Sequence, residues 1–274
     1  MQIPGRRAAA VAAAVDVAAT AGFPAPEPVV LQDTNNVVVH LAPHEVVAKV
    51  GVWPHSAAVL GLEIDVCAHL SAVGAPVAAP IGPLRSGGPY RLPVSLWHRL
   101  VPAPRPQLDD GELALLVRRV HDALSTYGGA LPSYLGAIDH TRRTLFDDAA
   151  MAALATDDRS LLRARFDDWA AAARAWSGPA RPLHGEPHTA NVVVTAQGLR
   201  LIDFEAAGLG PPEWDLASLP PGVADRYGGL DRDLLTLLRR LNSARVATWC
   251  WAGAGHPVMR AHGEHHLALV RGAD

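Results

Sequence analysis

Between Leu183 and Glu205 the chain reads LHGEPHTANVVVTAQGLRLIDFE, where two histidines, two glutamates, an asparagine and an aspartate bracket short apolar runs. Two kinds of chemistry use such a set: a metal centre built on imidazoles, or the handling of a phosphate and its magnesium. His184 and His188 are spaced i, i+4 with Glu186 between them. That spacing ligates zinc when a helix aims both rings the same way, but Gly185 and Pro187 interrupt any helix here and the glutamate stands at the wrong position. A second histidine-rich run, HGEHH with His262, Glu264, His265 and His266, reads as a solvated helix face rather than a metal site.

The phosphate reading fits better. Phosphoryl transfer needs a carboxylate to hold the attacking hydroxyl and hard oxygen ligands for the magnesium that bridges nucleotide phosphates. Glu186 is an acid in a Gly/Pro loop, Asn191 an amide at the start of one predicted strand, and Asp203 a carboxylate at the end of the next. A hairpin over these strands, turning at TAQG, brings Asn191 and Asp203 together so that they can share one cation. Upstream, Lys49 in VVAKVG is the only lysine in a chain rich in arginine. A compact ammonium that touches phosphate oxygens is one reason to keep it, because an arginine fork is larger and differently shaped. Glu63, in the helix predicted after that strand, can pair with Lys49 and hold it.

The elements that must position these residues follow from the hydrophobic pattern. Val29 to Gln32, Val37 to Leu41 and Val46 to Val50 read as strands, the last two as a hairpin, and VAAPIGPL and YRLPVSLWHRL as two further strand-like segments. Ser56 is a candidate N-cap for a helix with Val59, Leu62, Val66 and Leu70 at helical spacing. After the Pro-rich VPAPRP, Asp109 or Asp110 caps a helix with Leu113, Leu116, Val117, Val120 and Leu124 on one face, and further helices are predicted over 139–154, 158–176, 232–246 and 258–270. The Ala-rich opening reads as an ordinary helix rather than a signal peptide, because Asp16 interrupts it and alanine makes a weak hydrophobic core.

Composition sets the outer limits. With 49% hydrophobic and 19% charged residues over 274 positions, the chain is globular and large enough for a sizeable core. A net charge of -3 argues against nucleic-acid or anionic-membrane partners, and no segment approaches a membrane span. Cys67 and Cys250 lie far apart and form no CxxC pair, so neither a disulfide framework nor a zinc knuckle is indicated, and a reducing cytoplasm is the natural location.

LHGEPHTANVV, LIDFE and GPPEWDLA resemble the aminoglycoside phosphotransferase family, a branch of the kinase-like superfamily that includes choline and other small-molecule kinases. VVAKV resembles its lysine strand, SLWHRL its hinge and RRVHDAL the helix after it. The resemblance implies an α+β, two-lobed protein-kinase-like fold: a small antiparallel-sheet lobe over 1–99 that binds nucleotide, and a mainly helical lobe over 100–274 with the catalytic loop, magnesium site and acceptor pocket. It implies ATP or GTP as co-substrate, Mg2+ held by Asn191 and Asp203, Lys49 on the α/β-phosphates, Glu63 orienting Lys49, and Glu186 as the catalytic carboxylate. It further implies base contacts from the backbone of Trp97, His98 and Arg99, phosphate contacts from the loop at Asn35 and Asn36, structural support from His184 and Asp215, and core packing of His121.

Two departures stand out. The family usually has Asp where Glu186 stands, and the added methylene moves the carboxylate by roughly 1.5 Å. The loop at DTNNVVV lacks the expected glycine, although asparagines tolerate unusual backbone angles. The expected reaction is nucleotide-dependent O-phosphorylation of a small molecule. The leading acceptor is an aminoglycoside or other cationic antibiotic such as a basic peptide, met by Glu205, Glu213, Asp225, Asp231 or Asp233, with Trp249 and Trp251 either lining the pocket or packing in the core. An amino sugar or amino alcohol kinase, and a catalytically silent nucleotide-holding module, are the alternatives.

Overall fold

Alanine has the highest helix propensity, and the Ala-rich opening forms helix α1 (Arg6–Thr20) in the computed structural model, which describes residues 3–104, 108–253 and 257–273. Its buried face is Ala9, Ala10, Ala13, Ala14, Val17 and Ala18, small side chains that let the helix lie close on a sheet. That sheet is built from β1 (Glu27–Asp33), β2 (Asn36–Ala42) and β3 (Val46–Gly51). After helix α2 (Ser56–Ala72) the chain adds β4 (Arg85–Gly87) and β5 (Leu92–His98), then helix α3 (Asp110–Leu124). All pairings are antiparallel, in the order β1-β2-β3-β5-β4.

Strand parity decides where chemistry can sit. Val37, Val39 and Leu41 of β2 and Val46, Ala48 and Val50 of β3 share a core with α1. Successive side chains point to opposite faces, so Lys49, paired in register with Val38 and Ser95, is turned away from that core.

Helices α4 (Leu135–Leu145) and α5 (Thr156–Ala175) follow, then β6 (Arg181–Leu183) and the predicted hairpin, β7 (Val192–Thr195) with β8 (Gly198–Leu201). The chain ends through β9 (Gly208–Gly210), the short helices α6 (Pro212–Leu216) and α7 (Pro221–Tyr227), and the longer α8 (Arg232–Ala252) and α9 (Pro257–Arg271). Among the described residues no helix is long and apolar enough to cross a membrane.

Packing gathers the chain into two compact units: the first runs to Ala130 and also takes Thr189–Ala207, and the second comprises Leu131–His188 with the chain from Gly208 on. The expected division at 99/100 followed sequence order, whereas packing groups α3, β7 and β8 with the amino-terminal sheet. In the first unit β8 packs on α3, and the Ala103 amide donates to the Val194 carbonyl at 2.8 Å. The second unit has its own core, including Leu145, Met151, Leu162, Phe166, Leu238 and Leu241, with Tyr134 edge-on to Trp214 at 5.0 Å between centroids. β6 pairs with β9 beside it.

Three expectations need correction. Ser56 is the first helical residue of α2, not its cap, and its Oγ accepts instead from the Trp53 amide at 3.1 Å. VAAPIGPL is not a strand: Pro76, Pro80 and Pro83 punctuate this stretch and remove amide donors, leaving bonds such as Ile81 N–H to the Leu96 carbonyl. The helix expected over 139–154 begins at Leu135 and stops at Leu145, where Asp147 turns the chain by accepting from the Ala149 and Ala150 amides.

Two glycines test this packing. A Cβ on Gly87 of β4 would sit 2.6 Å from the Ala13 carbonyl oxygen and 2.7 Å from Val17 Cγ2 of α1, whereas one on Gly61 of α2 would meet nothing within 4 Å. Gly87→Ala is expected to destabilise by about 1–3 kcal/mol and Gly61→Ala to stabilise by up to about 1 kcal/mol, read from the midpoints of denaturant unfolding.

Candidate active site

In the first unit three carboxylates converge on one ammonium. β3 presents Lys49, α2 presents Glu63, and the turn after β8 presents Asp203 and, on a 3-10 turn over Phe204–Ala206, Glu205. Lys49 Nζ donates to both Glu63 oxygens at 3.0 and 2.9 Å and to Asp203 Oδ1 at 2.7 Å, and it also pairs with Glu205. The Phe204 amide adds a bond to Glu63 Oε1 at 3.2 Å, and Asn36 Nδ2 donates to Glu205 Oε1 at 2.6 Å.

Burial works against the Lys49 charge, but Glu63, Asp203 and Glu205 outweigh it and hold the ammonium above its ordinary pKa. Burial pushes Glu63 up to about 7, with Asp203 and Glu205 adding to the rise and Lys49 opposing it. One positive group therefore faces three acids, and carboxylate oxygens of Glu63, Asp203 and Glu205 all lie within 4.8 Å of one another. That surplus of hard oxygen donors suits a divalent cation. Asp203 reaches its place with φ 70°, a left-handed conformation that costs a non-glycine residue energy. Asn191 closes a 3-10 turn before β7 and is buried, and its carbonyl accepts from the Ile202 amide at 2.9 Å, so the hairpin ties the chain at Asn191 to the residue preceding Asp203.

Sequence reasoning missed two members of this group. Glu205, expected to meet an acceptor, stands against Lys49. Asn36 had been read as a phosphate loop, yet it is a buried residue of β2 whose side chain anchors Glu205, while Asn35 is exposed. Neither asparagine adopts a positive φ, so the unusual angles they could tolerate are not used. In the hinge segment, whose backbone was expected at the base, the His98 amide donates to the Ala79 carbonyl and the Arg99 amide to the Glu45 carbonyl, each at 3.0 Å. Trp97 is buried and its Nε1 donates to Ser95. His121 is half-buried on α3 rather than in the core.

The second unit holds the loop with Glu186. Asp215, buried on α6, accepts from the His184 amide at 2.9 Å and the Gly185 amide at 2.8 Å, while Trp214 Nε1 donates to the Gly185 carbonyl at 2.9 Å. Gly185 turns with φ 93°, and the Glu186 amide donates to Nδ1 of the buried His184. These bonds fix the backbone and leave Glu186 on the exposed side of the loop.

Of the other acids proposed for an acceptor, Asp233 is exposed in the first turn of α8, and the remaining three have structural partners. Glu213 is buried and accepts from the Asp231 amide, Asp231 caps α8 through the Asp233 and Leu234 amides, and Asp225 pairs with Arg232. Trp251 is in the core, whereas Trp249 is partly exposed beside His140. Among the described residues neither histidine cluster forms part of a three-residue metal group. His266 of the α9 run is held down to about 4 by burial, with His265 and His262 adding.

Residues 32–262 match the sequence profile of the phosphotransferase enzyme family, and the chain belongs to that family of enzymes. The solved structure of amicoumacin kinase hAmiN, in complex with AMP-PNP, Ca2+ and Ami, is similar at 13% identity with a TM-score of 0.70, covering 93% of this chain and 92% of that one. A choline/ethanolamine kinase family protein from Mesorhizobium loti matches at 17% identity and a TM-score of 0.65, covering 98% and 94%. The GDP and kanamycin complex of APH(2")-IIia matches at 15% identity and a TM-score of 0.66, covering 91% and 93%. A comparison with curated protein sequences gives no match. The fold is thus that of the kinase-like phosphotransferases.

The charge balance at Lys49 gives a pH-dependent prediction. Because the folded-state pKa of Glu63 is raised, the folded protein binds this proton more tightly than the unfolded chain, and stability falls as pH climbs from the ordinary value of 4.5 through about 7. Lys49→Met removes the attraction that limits this rise. The variant is expected to be less stable than the wild type by about 3 kcal/mol at pH 8 and by clearly less at pH 5.5, measured by denaturant unfolding at both values.

Proposed function

We propose that the protein transfers the γ-phosphoryl group of ATP or GTP to a hydroxyl of a small molecule. The observation that carries this reading is the joining of Lys49, Glu63 and Asp203 in one ion-pair cluster, with Glu63 buried and an excess of acid. In the reaction the acceptor oxygen forms a bond to the γ-phosphorus, the bridging bond to the β-phosphate breaks, and the hydroxyl proton leaves toward a carboxylate. We assign the orientation of that hydroxyl to Glu186, α/β-phosphate contact to Lys49, the holding of Lys49 to Glu63, and Mg2+ ligation to Asn191 and Asp203. The metal would neutralise charge on the phosphates. His184 and Asp215 support the Glu186 loop.

For the acceptor, a basic antibiotic leads and an amino alcohol or amino sugar comes second, in keeping with the kanamycin, amicoumacin and choline/ethanolamine names attached to proteins of this fold. The test is mass spectrometry of products after incubation with Mg2+ and ATP, then GTP, against aminoglycosides, basic peptide antibiotics, amino sugars and amino alcohols. A product heavier by one phosphoryl group supports the reading. The glycine-free loop at Asn35 and the glutamate at 186 favour a second reading, a silent nucleotide-holding module, which predicts Mg2+-dependent nucleotide binding and no product. Glu186→Gln is expected to lower turnover by about 100-fold or more with nucleotide affinity nearly unchanged. Asp203→Asn is expected to weaken Mg2+-dependent nucleotide binding itself, measured by calorimetric titration.

A further inference from the structure

The bonds from Asp215 and Trp214 fix the backbone at His184 and Gly185, but they do not touch the Glu186 carboxylate, which is carried on a longer arm than the aspartate expected there. A cation on α8 is anchored to the same support. The Arg245 guanidinium lies over the Trp214 ring at 4.4 Å, and this is the same indole whose Nε1 holds the Gly185 carbonyl. Arg245 Nη1 donates to Asn242 Oδ1 at 3.3 Å, within its own helix, while Nε is buried without a hydrogen-bond partner. Leaving a guanidinium donor buried and unpaired is costly, so a purely structural explanation would have to set packing on Trp214 against that penalty. Burial lowers the Arg245 pKa, with the charge of Glu186 opposing that fall, in keeping with the place of Arg245 on the indole that holds the residue before Glu186.

We propose that Arg245 is a positioning residue for Glu186: stacked on Trp214, its guanidinium confines the glutamate carboxylate to the orientation in which it meets the acceptor hydroxyl. The inference rests on the catalytic reading of Glu186. It also accounts for how a glutamate serves where an aspartate was expected, since the freedom of the longer arm is removed by charge rather than by shortening. No metal and no change in nucleotide contact is involved.

Two mutant cycles test it. The first uses unfolding midpoints of the wild type, Arg245→Met, Glu186→Gln and the double variant, and needs no acceptor. The expected result is non-additivity, with Arg245→Met shifting the midpoint less when Glu186 is already neutral; additive shifts would overturn the pairing. The second uses turnover with an acceptor from the product screen. Arg245→Met is expected to lower kcat about 10- to 100-fold with nucleotide KM unchanged, Arg245→Lys to recover several-fold of that loss, and Arg245→Met to cost nothing further in Glu186→Gln. An equal loss on both backgrounds, or a rise in nucleotide KM alone, would overturn the positioning role. If Arg245→Met fails to fold, Arg245→Lys takes its place in both cycles under the same criteria. A wild type that yields no product with any acceptor would count against the catalytic reading of Glu186 and so against the positioning role, while the unfolding cycle would still report on the coupling of Arg245 to Glu186.

Discussion

One ammonium stands among three acids, and the first unit is organised around that imbalance. A lone buried carboxylate such as Glu63 would be costly, and its pairing with Lys49 offsets only part of the cost, as its pKa near 7 shows. Asp203 and Glu205 make the balance more negative, not less. Interactions of this kind are poor devices for stability, because an apolar group of similar volume packs as well without the desolvation penalty. What the cluster offers instead is a group of hard oxygen donors in excess over a fixed cation. The local fold serves it: strand parity turns Lys49 away from the α1 core, α2 buries Glu63 behind it, and the β7–β8 hairpin delivers Asp203 in a strained conformation that the surrounding bonds maintain.

Much of this was legible in the sequence, because alternation and spacing are local. Apolar runs in Val37 to Leu41 and Val46 to Val50 fix both the strands and the face on which Lys49 lies. The NVVV, TAQG and LRL segments specify a hairpin, and hairpin geometry makes the separation of Asn191 from Asp203 in sequence unimportant. The Asp109 cap of α3 was readable because an N-cap depends on a few adjacent residues, and Asp109 accepts from the Gly111 and Glu112 amides. What was not legible depended on long-range packing. Asn36 and Glu205 meet across 169 positions, and nothing in DTNN or LIDFE announces that bond. VAAPIGPL has strand-like composition, but its prolines cannot fill a ladder, and Asp147 cuts a helix that hydrophobic spacing would have continued.

In the second unit the same logic operates on backbone rather than charge. Two amides of the Glu186 loop would be buried and unpaired without Asp215, whose two oxygens accept one each. A carboxylate used in this way is a structural part, and its removal would free the loop. Trp214 completes the support by donating to the Gly185 carbonyl, and its ring also meets Tyr134 and Arg245. The loop is therefore held from a short helix whose own position is set by the hydrophobic core. This is how an exposed glutamate can be held by a rigid base.

The acids of this chain show why composition is a weak guide to the charge of an acceptor. Glu213, Asp225, Asp231 and Glu205 looked like a reservoir of negative charge for an amine-bearing ligand. Each instead meets an internal donor: an amide, an arginine, a helix N-terminus and Lys49. A carboxylate already engaged in this way attracts a second cation less than a free one, since its partner cancels much of the field beyond a few ångströms. A cationic acceptor would then have to be recognised by other means, such as aromatic faces, of which the partly exposed Trp249 beside His140 is one. Counting acids predicts acceptor charge only after the internal pairings have been subtracted, and in this chain the subtraction removes most of the count.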